Sequence, residues 1–166
     1  MDITAGMVKE LREKSGAGIM ECRNALSACE CNMEKALELL KQKGLAKAEK
    51  RAQRATAAGL VETYVHTAGR IGAMIEVNCE TDFVARTEQF KELAHCLAMQ
   101  VAAMSPVCIS QEDAPEGQAV TDDSCLLLQP YIKDQTKLIK DVVAETIART
   151  GENIRIRRFV RYELGN

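Results

Sequence analysis

Apolar residues along this chain recur first at three- and four-residue spacing, then at every second position, then at the helical spacing again. Met7, Val8 and Leu11 follow Thr4 and end at Ser15-Gly16, which predicts a short helix with a hydroxyl cap and a glycine stop. Ile19, Cys22, Ala25, Leu26 and Cys29 stripe a second helix. Met33, Ala36, Leu37 and Leu40 stripe a third, with Asn32 placed to cap it and Gly44 placed to end it. Three short amphipathic helices can bury their stripes only against one another, so a small bundle is expected. Lys41, Lys43, Lys47, Lys50, Arg51 and Arg54 then stand against the single acid Glu49. Such a run reads as a solvated helix or linker, and it marks a boundary near residue 54.

From Ala58 the period becomes two. Val61, Thr63 and Val65 alternate, Thr67-Ala68-Gly69-Arg70 supplies a turn, and Ile71, Ala73, Ile75, Val77 and Cys79 share one face. This pattern predicts an antiparallel hairpin. Phe90, Leu93, Ala94, Leu97, Ala98, Val101 and Ala102 form a helical stripe reaching about Met104, and Leu138, Ile139, Val142, Val143 and Ile147 stripe another helix over about Thr136 to Thr150. Ile154 to Glu163 reads as a third strand, with a bulge or register change at Arg157-Arg158. Residues 105–130 hold all three prolines and five acids without a base, which predicts a loop or exposed excursion. The expected fold is α+β: a three-helix bundle with its basic linker over residues 1–54, then a core over 55–166 in which helices cover one face of a small antiparallel sheet.

At 166 residues the chain can bury a substantial core, and 22 basic against 24 acidic residues argue against a general polyanion binder. No apolar run approaches the length of a spanning helix, and Met1-Asp2 leads directly into helical signals, so a soluble, cytoplasmic protein is expected. Seven cysteines are an odd number and form no Cys-x-x-Cys pair. Cys22, Cys29, Cys79 and Cys96 suit buried reduced thiols. Cys29-Glu30-Cys31 with His66 or His95 offers soft ligands, but at a spacing unlike zinc knuckles, and nothing around His66, Cys79 or His95-Cys96 forms a nucleophile signature. Neither a metal nor a cofactor is expected.

Between the second strand and the following helix lies Thr81-Asp82-Phe83-Val84-Ala85-Arg86. On one reading Thr81 or Asp82 caps the helix and Phe83 packs inward as a staple. On the other, an acid beside an aromatic at a strand-to-helix junction is presented to a partner. Arg86 in a first helical turn opposes the helix dipole slightly, which suits an interaction elsewhere.

Three blocks carry a resemblance to a known family: Glu76 to Arg86, Val8 to Leu26, and Gln129 to Asp134 followed by Gly151 to Glu163. Together they resemble the bacterial-type translation elongation factor Ts family over nearly the whole chain. The resemblance implies an exchange factor that binds elongation factor Tu, both GDP-bound and nucleotide-free, and releases GDP without covalent chemistry. It also likens the bundle to a ubiquitin-associated domain. Asp82 and Phe83 would be the intruding pair, with Thr81, Val84 and Arg86 beside them. Val8, Leu11, Gly16, Gly18 and Met20 match a bundle region implied to disturb the phosphate-binding loop, although Val8 and Leu11 also read as bundle core and the glycines as turn formers. Long relatives carry two related core halves where this chain has one, which implies a homodimer. The intermolecular disulfide of some short relatives is not expected, since no cysteine lies beyond Cys125. Arg155, Arg157, Arg158 and Arg161 are expected in salt links and subunit contacts. Two other classes compete: an adaptor whose bundle binds ubiquitin-like or helical partners, and a redox or metal enzyme built on the cysteines.

Overall fold

The computed structural model describes residues 2–114 and 120–165. Its first helix, α1 (Ala5–Ser15), begins where the Thr4 hydroxyl accepts the Met7 N–H at 3.3 Å and ends at Gly16 with φ +67°. A Cβ on Gly16 would stand 2.3 Å from Arg149 Nε, so this glycine serves both the left-handed turn and a close approach. Helix α2 (Ile19–Ala28) follows, and α3 (Met33–Arg51) starts with the Asn32 side chain accepting the Lys35 N–H at 2.9 Å. Leu11, Cys22, Ala25, Leu26 and Ala36 are fully buried where the three helices meet. Ile19 departs from the predicted stripe and is 57 % exposed.

Gly44 was expected to end the third helix, yet α3 runs through it for a further seven residues. The reason is tertiary. A Cβ at Gly44 would meet Ala148 Cβ at 3.5 Å, an ordinary van der Waals contact, so α3 packs on α6 (Ile139–Thr150) at this point. Interior glycine costs a helix about 1 kcal/mol, and packing against a second helix offsets it. The basic run is therefore helical as far as Arg51, and Ala48 reaches the second core.

That core is built on β1 (Ala58–Val65) and β2 (Ile71–Cys79), followed by α4 (Asp82–Ala85) and α5 (Glu88–Met104), then β3 (Pro130–Tyr131), β4 (Asp134–Leu138), α6 and β5 (Ile154–Glu163). The main sheet is antiparallel in the order β1-β2-β5. Glu76 opposes Arg158 while Val77 opposes Ile156, so Arg157 is the extra residue of the bulge expected there. Ala73, Ile75, Val77 and Cys79 turn inward and join every residue of the predicted α5 stripe in one core. In contrast, Val61 and Val65 turn outward, at 58 % and 67 % exposure.

Three expectations need correction. A single helix from Thr81 or Asp82 to Met104 is instead two helices, because Arg86 ends α4 and the Thr87 hydroxyl caps α5 by accepting the Phe90 N–H at 3.3 Å. The helix expected from Thr136 begins at Ile139, and the residues before it form the β3–β4 hairpin, which the helical stripe concealed. The segment after α5 is not simply an exposed excursion. Leu126 and Cys125 are fully buried, and the Gln129 carboxamide donates to Asp123 O at 2.6 Å and accepts from Gln100 Nε2 at 3.2 Å. Pro115 and Glu116, also part of that expectation, lie outside the described residues. No helix among the described residues is long and apolar enough to cross a membrane.

Candidate functional site

The turn at the end of β2 is a single helical turn held from both ends. Thr81 is its cap, its Oγ1 accepting the Val84 N–H at 3.5 Å and its carbonyl accepting the Ala85 N–H at 3.2 Å. Val84 and Ala85 are buried in the core. Successive residues of a helix turn by about 100°, so anchoring positions 84 and 85 inward turns 82 and 83 to the opposite side. Phe83 is accordingly 87 % exposed, and the staple reading is overturned for it. Asp82 and Arg86 are exposed beside it, with no ion pair to either among the described residues.

Phe83 is the most exposed large apolar side chain among the described residues. The turn that carries it is clamped. Thr81 donates its N–H to Glu152 Oε2 at 2.9 Å and its hydroxyl to Glu152 Oε1 at 2.6 Å. The Cys79 thiol donates to Thr81 O at 3.2 Å, and burial followed by the Glu152 charge raises its pKa, which keeps it a thiol. Glu80 accepts the Asn153 N–H at 2.7 Å and pairs with Arg54 at 3.4 Å. Sequence reasoning assigned no role to Glu152, Asn153 or Glu80, because partners 71 to 73 residues apart leave no local signal.

Residues 47–119 match the family model for elongation factor TS. The chain is 46 % identical to elongation factor Ts of Thermotoga maritima, with 99 % of this chain and 98 % of the relative covered. The chain belongs to the elongation factor Ts family. Its role is guanine nucleotide exchange in translation elongation. Similar relationships hold to elongation factor Ts of Carboxydothermus hydrogenoformans, 46 % identical over 98 % of this chain and 89 % of the relative, and of Maridesulfovibrio salexigens, 48 % identical over 99 % and 95 %.

The remaining residues expected to act in an elongation factor Ts separate into two groups. Val8 lines a groove of about 440 Å³ together with Ile3, Ile19, Lys9, Arg12 and Arg23. Met20, 61 % exposed, stands next in sequence to Ile19, and Gly18 is the cap position of α2, donating its N–H to Glu21 at 3.4 Å. Leu11 and Val84 are buried, the first completely, and they support their surfaces from beneath. Gly16 is turned toward Arg149. No group of three or more metal-ligating side chains occurs among the described residues.

One pH effect follows from the clamp. The Asn153 N–H, then the Arg54 charge, hold the Glu80 carboxyl below its ordinary value of 4.5. The folded state therefore favours the charged form, so this contribution is complete above the ordinary value and is lost as pH falls through the lowered one. Thermal melts between about pH 7 and pH 3 should show a shallower acid decline for Glu80→Gln than for the wild type. Superimposable acid limbs would rule out Glu80 as a source of that sensitivity.

Proposed function

We propose that this chain releases GDP from elongation factor Tu by placing Phe83 in an apolar slot of the GTPase while Asp82 bonds at its edge. The observation that carries the reading is the 87 % exposure of a phenyl on a turn anchored at Thr81 before it and at the buried Val84 and Ala85 after it. Such a side chain enters a partner without first being ordered, which spares the ordering cost of binding. Exchange needs no bond making. A factor that binds the GTPase better when nucleotide is weakly held must, by linkage, weaken nucleotide by the same ratio, and GTP then displaces the factor. Both the GDP-bound and nucleotide-free GTPase are accordingly its partners, and the cytoplasm is where it works.

The bundle, read as a unit over residues 1–54, supplies the second contact. Ile19 and Met20 offer apolar surface, and Lys9, Arg12 and Arg23 rim the neighbouring groove without an acid among its lining residues. This arrangement suits an acidic helical surface. Release of fluorescent GDP from elongation factor Tu tests the whole reading: wild type accelerates release, and Asp82→Ala and Phe83→Ala each lose acceleration while remaining folded.

The core, residues 55–166, is read as the dimerisation unit. Cross-strand partners share a face, so Val65, Gly72 and Tyr162 form one row, Thr63, Met74 and Val160 a second, and Val61, Glu76 and Arg158 a third. The helices pack on the other face, and Val61, Val65, Met74 and Tyr162 are 45–72 % exposed. A second copy covering this face in two-fold symmetry buries all of them. Light scattering at micromolar concentration should give twice the 18.3 kDa chain mass, and Met74→Glu should halve it. A wild-type mass of one chain would remove the dimer.

A further inference from the structure

The exchange reading uses Asp82 and Phe83 but leaves one cluster without a role. Glu80-Thr81 at the end of β2 and Glu152-Asn153 between α6 and β5 hold each other in both directions: Asn153 N–H to Glu80 Oε1 at 2.7 Å, and Thr81 N–H and hydroxyl to the two oxygens of Glu152 at 2.9 and 2.6 Å. Asn153 is only 2 % exposed. Its Nδ2 donates to Ala52 O at 3.3 Å and Arg54 O at 2.9 Å, so the segment leaving α3 is tied to the same point. Three separate parts of the chain thus converge behind the tip.

We propose that Glu152 is a positioning residue for nucleotide exchange, presetting the pose of the Asp82–Phe83 tip through Thr81, while Asn153 fixes the bundle's exit segment to the same clasp. This inference rests on the tip reading above. A helix of four residues has no stability of its own, since nucleation costs more than one turn returns. Burial of Val84 and Ala85 holds its inner side. Its N-terminal end is held through Thr81, where two charge-assisted bonds to one carboxylate fix both the backbone N–H and the hydroxyl that caps the turn, and through the Asp82 carbonyl, which accepts the Arg86 N–H at 3.2 Å. Without Glu152, the Thr81 N–H and hydroxyl lose their acceptor; the carbonyl stays held by Cys79 and Ala85, but the hydroxyl is free to turn from the Val84 N–H and the start of the turn must be ordered during binding. Glu152 makes no hydrogen bond to Asp82 or Phe83; it acts on the tip through Thr81.

The test is a double-mutant cycle in the full-length protein. Release of fluorescent GDP from elongation factor Tu is followed at increasing factor concentration, for wild type, Glu152→Ala, Glu152→Gln, Phe83→Ala and the double variant Phe83→Ala with Glu152→Ala. Glu152→Ala should lower the maximal release rate about tenfold, the size of one charge-assisted hydrogen bond. Glu152→Gln, whose single amide oxygen accepts from only one of the two Thr81 donors, should recover part of it. In the Phe83→Ala background, Glu152→Ala should cause no further loss, because residues acting through one group are not additive. If Glu152→Ala does not fold, Thr81→Val carries the same cycle. A wild-type rate in Glu152→Ala, or losses that multiply in the double variant, overturns the positioning role and leaves the tip reading intact. Full exchange by Phe83→Ala removes the tip reading and this inference with it.

Discussion

Phe83→Ala should lower the acceleration of GDP release by about ten- to a hundredfold while leaving the melting temperature within error of the wild type. The magnitude follows from burial: moving a phenyl from water into a slot contributes roughly 1.5–3 kcal/mol, and each 1.4 kcal/mol is about tenfold in affinity. The unchanged stability follows from the 87 % exposure of the free side chain, since a group that is already in water contributes little to folding. This separation of effects is diagnostic. A core residue cannot lose activity without losing stability, whereas this one should. Stopped-flow exchange and thermal melts on the same preparation check both halves, and unchanged exchange in Phe83→Ala would show that the tip is not the intruding element.

Phe90→Ala should do the reverse. Seven residues on from Phe83, Phe90 is completely buried at the start of α5, in the core that includes Ile75, Val77, Leu97 and Ile139. Removing the ring loses its transfer free energy and leaves a cavity that the sheet and α6 can fill only in part. A loss of about 3–5 kcal/mol is expected, which lowers Tm by about 10 °C for a chain of this length. Because α4 leads directly into α5, exchange should fall only where the fold begins to open, and not at low temperature. Chemical denaturation with an unchanged slope and a shifted midpoint is the signature. A shift of less than 1 kcal/mol would mean that the core collapses around the gap.

The contrast between these two phenylalanines shows what local pattern can and cannot decide. Phe90 falls in register with Leu93, Ala94, Leu97 and Val101, so periodicity alone assigned it to the core, and the structure agrees. Phe83 precedes that register, and its own chemistry suited an inward staple as well as an outward tip. Only the resemblance of the surrounding block favoured the tip, and only the inward burial of Val84 and Ala85 shows why Phe83 faces out. Similarly, Gly44 reads locally as a helix stop, yet α3 continues beyond it where it packs beside Ala148 of α6. The β3–β4 hairpin was concealed because Leu138 belongs to a strand while extending the stripe of the helix that follows.

The sequence by itself determined the fold class, the alternating core face of β2, the stripe of α5, a bulge or register change at Arg157-Arg158 and the family blocks. These depend on residues within a few positions of one another, where side-chain direction is set by the 3.6- and 2.0-residue periods. The tertiary structure decided the rest. Val61 and Val65 alternate as well as any buried strand, yet point away from the helices because the sheet has a second face. Thr81 meets Glu152 and Glu80 meets Asn153 across more than seventy residues. No local period encodes such a meeting: it exists only once β2, α6 and β5 have packed, and it is that packing which holds an exposed phenyl in place.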